Sequence, residues 1–285
     1  MRGRTGTTDE GLSPLARRTP DGPPPAPTVQ RIRLRYTKRG RLRFTSHRDF
    51  QRAFERALRR SAVPMAYSAG FTPHPKVSYA NAAPTGTASE AEYLEIGLAE
   101  RRDPEALRRQ LDESLPPGLD ITEAVEVATS NFVERLEASE WLLRLPGVEP
   151  AEAEKAAAAF LAADAVEVQR MTKNGLRTFD ARAAVAAIGL APADAALVGI
   201  GDNTATDGAD DVRTGAPCAI LRLVVRHATP AVRPDDVLSG LRSTADLAPP
   251  VPAEVTRLAQ GPLDEQAGTV TDPLALDRAA AEVGR

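Results

Sequence analysis

Apolar and basic residues alternate strictly over Arg31-Ile32-Arg33-Leu34-Arg35-Tyr36, the period of a strand with one buried face. Ile32, Leu34 and Tyr36 form the core side, and Arg31, Arg33 and Arg35 the other. Lys38-Arg39-Gly40 reads as a turn after which Leu42 and Phe44 resume the alternation, so a hairpin is predicted. From Ser46 the period changes. Phe50, Ala53, Phe54, Ala57 and Leu58 follow the i, i+3, i+4 spacing of a half-buried helix. Ser46 and Asp49 make a partial capping box, and Pro64 ends the segment. Strands are predicted near residues 76–82, 92–98 and 119–127. A helix begins at Asp103-Pro104-Glu105, with proline in its first turn.

A similar order returns further on. Residues 141–145 read as a strand and 149–163 as an Ala-rich helix. Residues 166–171 and 176–179 form a hairpin around Lys173-Asn174-Gly175. Residues 181–188 read as helix, 219–225 as an apolar strand, 234–242 as helix and 254–258 as a last strand. The fold class is α+β: two ferredoxin-like (split βαβ) domains in tandem, the second more degenerate. Residues 1–29, with six prolines, are expected to be a disordered leader. The basic domain then covers 30–130, and the second covers 131–260 with a loose loop at 201–217. Residues 261–285 are expected to be a mostly disordered acidic tail with a short helix near 274–281.

Composition sharpens this picture. With 42% apolar but only 4% aromatic residues among 285, the core is built mainly from Ala, Leu and Val. The net charge of −3 conceals a strong asymmetry, because residues 31–80 hold 13 Lys or Arg against two acids, Asp49 and Glu55. That segment creates a local positive field. No apolar run has membrane-span length, and residues 1–30 show no apolar region of a secretory signal. The single cysteine, Cys218, fits a reducing compartment. A cytoplasmic protein is expected.

Candidate chemistry gathers in the basic segment. Arg48, Arg52, Arg56 and Arg59 recur about one helical turn apart, a stripe suited to phosphates, as is the strand face Arg31, Arg33 and Arg35. His47, at the mouth of that helix, is a candidate general base or phosphate ligand. His74 lies between Pro73 and Pro75 on a stiffened loop that also carries Phe71 and Lys76, residues able to stack on a base and pair with a phosphate. No His or Cys spacing supports a metal site, and no cofactor is expected. A Gly-x-Ser-x-Gly elbow and a phosphate-binding Gly-x-x-x-x-Gly-Lys loop are both absent.

The run Arg41-Leu42-Arg43-Phe44-Thr45-Ser46-His47-Arg48-Asp49, with Arg56-Ala57-Leu58-Arg59-Arg60, Pro64, Tyr67-Ser68, Gly70-Phe71, Pro73-His74-Pro75-Lys76, Gly86 and Ser89-Glu90, resembles the radical SAM-linked protein family. That family is a bacterial domain of unknown function, found alone or fused behind a radical SAM enzyme. The resemblance is dense over residues 31–98 and thin beyond. It implies a radical SAM partner and supplies no catalytic residues. A radical SAM enzyme holds its iron–sulfur cluster with three cysteines, so a chain with Cys218 alone would be the accessory half. The expected function is an RNA-binding accessory module acting with such an enzyme in modification or processing of tRNA-like RNA. The alternatives are a metal-independent endoribonuclease using His47 or His74, and a docking subunit that meets its protein partner without touching RNA.

Overall fold

The computed structural model describes residues 25–173, 175–191 and 217–283. The expected leader up to residue 24 and the expected loose loop from 201 to 216 lie outside them. Strand β1 (Gln30–Lys38) runs antiparallel between β3 (Ala88–Leu98) and β4 (Ile121–Glu126), with Leu34 opposite both Leu94 and Ala124. Strand β2 (Val77–Ala80) takes the other edge of β3. Helices α1 (His47–Arg60) and α2 (Pro104–Asp112) lie in the two crossovers. The spatial order β4-β1-β3-β2 is that of a split βαβ unit.

The second half repeats it. Strand β5 (Ala138–Pro146) is followed by α3 (Pro150–Ala162), an inserted hairpin of β6 (Glu167–Thr172) and β7 (Gly175–Asp180), and β8 (Val185–Leu190). Strand β9 (Cys218–Arg226), α4 (Pro234–Ala245) and β10 (Glu254–Gly261) complete the unit in the order β10-β5-β9-β8. The units are not separate layers. Strand β10 lies parallel to the start of β3, with Thr256 opposite Ala88 and Arg257 opposite Ser89, and this joins both units into one eight-stranded sheet.

Each helix pair packs on its own half. Ile32, Leu34, Leu94 and Ile96 meet Phe50 and Phe54 of α1 and Leu107 and Leu111 of α2. Trp141, Leu143 and Leu145 meet Ala153 and Phe160 of α3 and Val237 and Leu241 of α4. Fully burying one such Leu or Phe contributes about 1.5–3 kcal/mol. Tyr36 stacks on Phe50 with ring centroids 4.3 Å apart, fixing the register of α1 on β1.

Three expectations are corrected. Residues 40–44 form a 3₁₀ turn, not the second arm of a hairpin. Both edges of β1 are already paired, and Gly40 adopts a left-handed φ of 53° that bends the chain away. Residues 181–188 are not helical. Ala181–Ala184 form a turn whose amides at Arg182 and Ala183 bond to the Asp180 carboxylate at 2.8 and 3.3 Å, and Val185 then enters β8. The open edge of the apolar strand β9 decides the ambiguous alanine pattern in favour of pairing. Finally, residues 261–283 of the acidic tail are ordered. They form a short hairpin, β11 (Leu263–Asp264) with β12 (Thr269–Val270), and helix α5 (Ala275–Val283). Leu274 and Asp277 are fully buried against the first unit, supplying the contacts that offset the ordering entropy. No helix among the described residues is long and apolar enough to cross a membrane.

Candidate nucleic-acid interface

The sequence folds α1 with one wet face. Ser46 caps it, accepting from the Asp49 amide at 3.2 Å and donating to the Asp49 carboxylate at 2.7 Å. Phe50, Phe54, Ala57 and Leu58 are buried. At about 100° per residue, Arg48, Arg52, Arg56 and Arg59 then fall within one narrow stripe, and all four are exposed. Their carboxylate neighbours are few. Arg52 stands 3.7 Å from Asp49 and Arg59 stands 3.9 Å from Glu55. Exposed pairs of this kind contribute about 0.3–0.5 kcal/mol and yield readily to a phosphate. Arg48 and Arg56 have no ion pair with any described residue. The 3₁₀ turn ahead of α1 adds Arg41 and Arg43, the latter held over the Phe44 ring at 4.8 Å.

The strand arginines behave differently. Arg31 is exposed and bonds Glu95 at 3.3 Å. Arg33 is only 2% exposed and is bound by Glu95 and Asp277. Arg35 is half-buried and donates to the Glu90 carbonyl at 2.8 Å. The expected phosphate face of β1 is therefore largely consumed by contacts inside the protein. While those carboxylates stay in place, the buried guanidinium gains nothing from an external anion.

Loop residues 65–76 carry the second cluster. Tyr67 bridges to Pro75, the Ser68 amide donates to the His74 carbonyl at 2.9 Å, and the His74 amide donates to Ser68 Oγ at 3.0 Å. The loop is thus closed at its base, and Gly70 provides a left-handed φ of 139° at the bend. Phe71 is 73% exposed at the tip, and His74 is also exposed. Lys76 donates to Thr28 Oγ1 at 3.0 Å. An aromatic ring left in water on a braced loop is a stacking surface.

The two imidazoles are not brought together. His47 stands at the start of α1, accepts from Gln51 Nε2 at 3.0 Å and meets the Tyr79 ring edge-on at 4.9 Å. His74 sits in the loop that follows the other end of the helix. No group of three or more His, Cys, Asp or Glu able to hold a metal occurs among the described residues.

What the pattern reading missed is a polar seam beside His47. A shallow recess is lined by Tyr36, Lys38, Thr45, His47 and Glu92, among others. Lys38 is buried and donates to the Pro84 carbonyl at 3.2 Å. Burial pushes its amine below the usual lysine range; Glu92 opposes the shift and Arg257 adds to it. Arg257, from the other unit, pairs with Glu92 and lies over the Trp141 ring at 5.5 Å. The period-two pattern placed Lys38 in a turn and Glu92 on a strand. Nothing local to either position marks a partner at Arg257.

Residues 31–234 match a protein family described as an uncharacterized protein conserved in bacteria. No curated protein matches the chain.

Proposed function

The chain belongs to that bacterial family, DUF2344, and we propose that it is an RNA-binding module whose phosphate contacts come from α1 rather than from β1. The carrying observation is the exposure of Arg48, Arg52, Arg56 and Arg59 on one helical stripe with only two weak intrahelical carboxylate neighbours. The Phe71–His74 loop supplies stacking and hydrogen bonding, which give selectivity that phosphate contacts lack. The resemblance to radical SAM-linked proteins makes a radical SAM enzyme the partner in this reading, with the present chain presenting the RNA.

The test is fluorescence anisotropy with a labelled single-stranded oligoribonucleotide across a salt series. Four phosphate contacts give a log–log slope of about −3. A flat salt response overturns the reading. Purification after nuclease treatment separates it from pure protein docking: a radical SAM partner retained in the absence of RNA, by a chain that binds no RNA, favours docking.

A second reading is metal-independent RNA cleavage. Its support is that His47 and Lys38 line one recess, pairing a general base with a cation beside a phosphate. Incubation with cellular RNA in EDTA, with His47→Ala as the control, decides it.

A further inference from the structure

Asp277 of α5 has no exposed surface, and its carboxylate collects five donors. Arg33 donates to Oδ2, as does Arg135 at 3.1 Å. Oδ1 accepts from the amides of Ala128 and Thr129 at 3.0 and 2.9 Å and from Thr129 Oγ1 at 2.7 Å. Two successive backbone amides, a hydroxyl and two guanidiniums form an anion cradle. The cradle exceeds its occupant. Arg135 Nε and Nη1 are buried with no hydrogen-bond partner among the described residues, donors that the two carboxylate oxygens leave unused. Arg33 and Arg135 both stand over the Phe132 ring, at 4.7 and 5.3 Å, and Phe132 meets Tyr93 edge-on at 5.4 Å.

The helix that carries the occupant is short. Helix α5 spans nine residues, too few to be helical alone in water. Besides Asp277, Leu274 just ahead of the helix packs in a cluster with Tyr93, Val125, Phe132 and Leu136, and Arg278 pairs with Glu123. Removing α5 would bare Arg33, Arg135, Tyr93 and Phe132 together, a cationic and aromatic patch on the sheet face opposite α1.

We propose that α5 is a displaceable strap, and that Asp277 holds the place of a phosphoryl group that binds the Arg33–Thr129–Arg135 cradle when the strap lifts. The assignment of that group to RNA rests on the reading above; the cradle itself does not.

The test uses the full chain and inorganic phosphate, with sodium chloride of equal ionic strength as reference. In Asp277→Asn, 50 mM phosphate is expected to raise the thermal midpoint by about 3 °C or more, as for a ligand present well above its dissociation constant. The wild-type midpoint is expected to move by less than about 1 °C, because the tethered carboxylate outcompetes the free ion. Equal shifts in both proteins, or none in the variant, overturn the proposal. Should Asp277→Asn not fold, Leu274→Ala carries the test: its α5 amides are expected to exchange at least about tenfold faster in phosphate than in chloride, and identical exchange overturns the strap. Oligouridylate with and without a 5′-phosphate then identifies the source of the group. A phosphate-dependent shift with no oligonucleotide binding leaves the cradle standing and removes the RNA reading instead.

Discussion

Arg257 and Glu92 are 165 positions apart in the chain and form a buried ion pair where strands of the two units lie side by side. The pair is the centre of a network. Arg257 also donates to the Asn81 carbonyl at 2.8 Å and to Ser89 Oγ at 3.3 Å, while Glu92 accepts from the Ala83 amide at 3.0 Å. The parallel register between β3 and β10 covers only Thr256–Ala88 and Arg257–Ser89, so side chains share the work of the backbone ladder in holding the units together.

Breaking that pair from one side leaves a charge stranded in the interior. Arg257→Met or Glu92→Gln is expected to cost about 3–5 kcal/mol, and the double variant Arg257→Met/Glu92→Gln less than the sum of the two singles. Urea unfolding of the four proteins measures the coupling. Additive costs would show that the two residues do not act as a pair.

The arginines of α1 and β1 are expected to separate binding from stability. Arg48→Glu with Arg56→Glu should weaken oligoribonucleotide binding at least about tenfold at low salt and flatten the salt slope by about 1.4, two phosphate contacts being lost. Its unfolding midpoint should stay near wild type, since both side chains are exposed. Arg33→Gln should do the reverse on stability, because it strips the Asp277 and Glu95 carboxylates of their buried partner. Anisotropy and urea titrations on the same preparations check both halves. An Arg33→Gln protein as stable as wild type would show that the buried carboxylates do not depend on this partner.

Much of this architecture is written locally. The alternation in β1, the capped amphipathic α1 and the Asp103-Pro104 start of α2 each carry their signal within a few residues, and all are present in the structure. The exposed stripe on α1 and the exposed ring of Phe71 were legible for the same reason. What escaped is whatever a remote segment decides. The alternation at Leu42 and Phe44 gave no sign that both edges of β1 were occupied. The alanine pattern of 181–188 is neutral until β9 offers an edge. Arg33 reads as a solvent-facing cation until Asp277, 244 positions later, covers it. An alternating strand marks two faces but does not say whether the second stays open to water.

The third histidine gives a pH signature. His227 receives a hydrogen bond from Ser139 Oγ at Nε2, 2.7 Å, and its Nδ1 lies 2.5 Å from the Leu136 carbonyl. Burial holds the ring below its ordinary range; the Leu136 contact opposes this and Arg257 reinforces it. Between that depressed value and the unfolded value of about 6.5, the unfolded chain binds the extra proton. This group's contribution is therefore fully present above about pH 6.5 and is lost as pH falls through the interval below it. Urea midpoints of wild type and His227→Gln from pH 5 to 8 should diverge at neutral pH and converge on acidification. A difference that widens as pH falls would show the opposite sign.

Packing between α3 and α4 sets a steric limit. A Cβ added at Gly240 would stand 2.6 Å from Phe160 Cε2 and 3.0 Å from Val166 Cγ1. Phe160 is fully buried, so its ring has no room to retreat. Alanine at a helix-interior glycine normally gains about 1 kcal/mol from propensity, whereas overpacking a filled core costs about 1–3 kcal/mol. With the added methyl group this close to two buried side chains, the steric cost prevails. Gly240→Ala is expected to be net destabilising by about 1–2 kcal/mol. Gly189→Ala in β8 is the matched control, since nothing lies within 4 Å of the added methyl group, and it should leave stability unchanged or slightly raised. Thermal midpoints of the two variants check the contrast, and a stabilised Gly240→Ala protein would mean that α4 rides further from α3 than these distances place it.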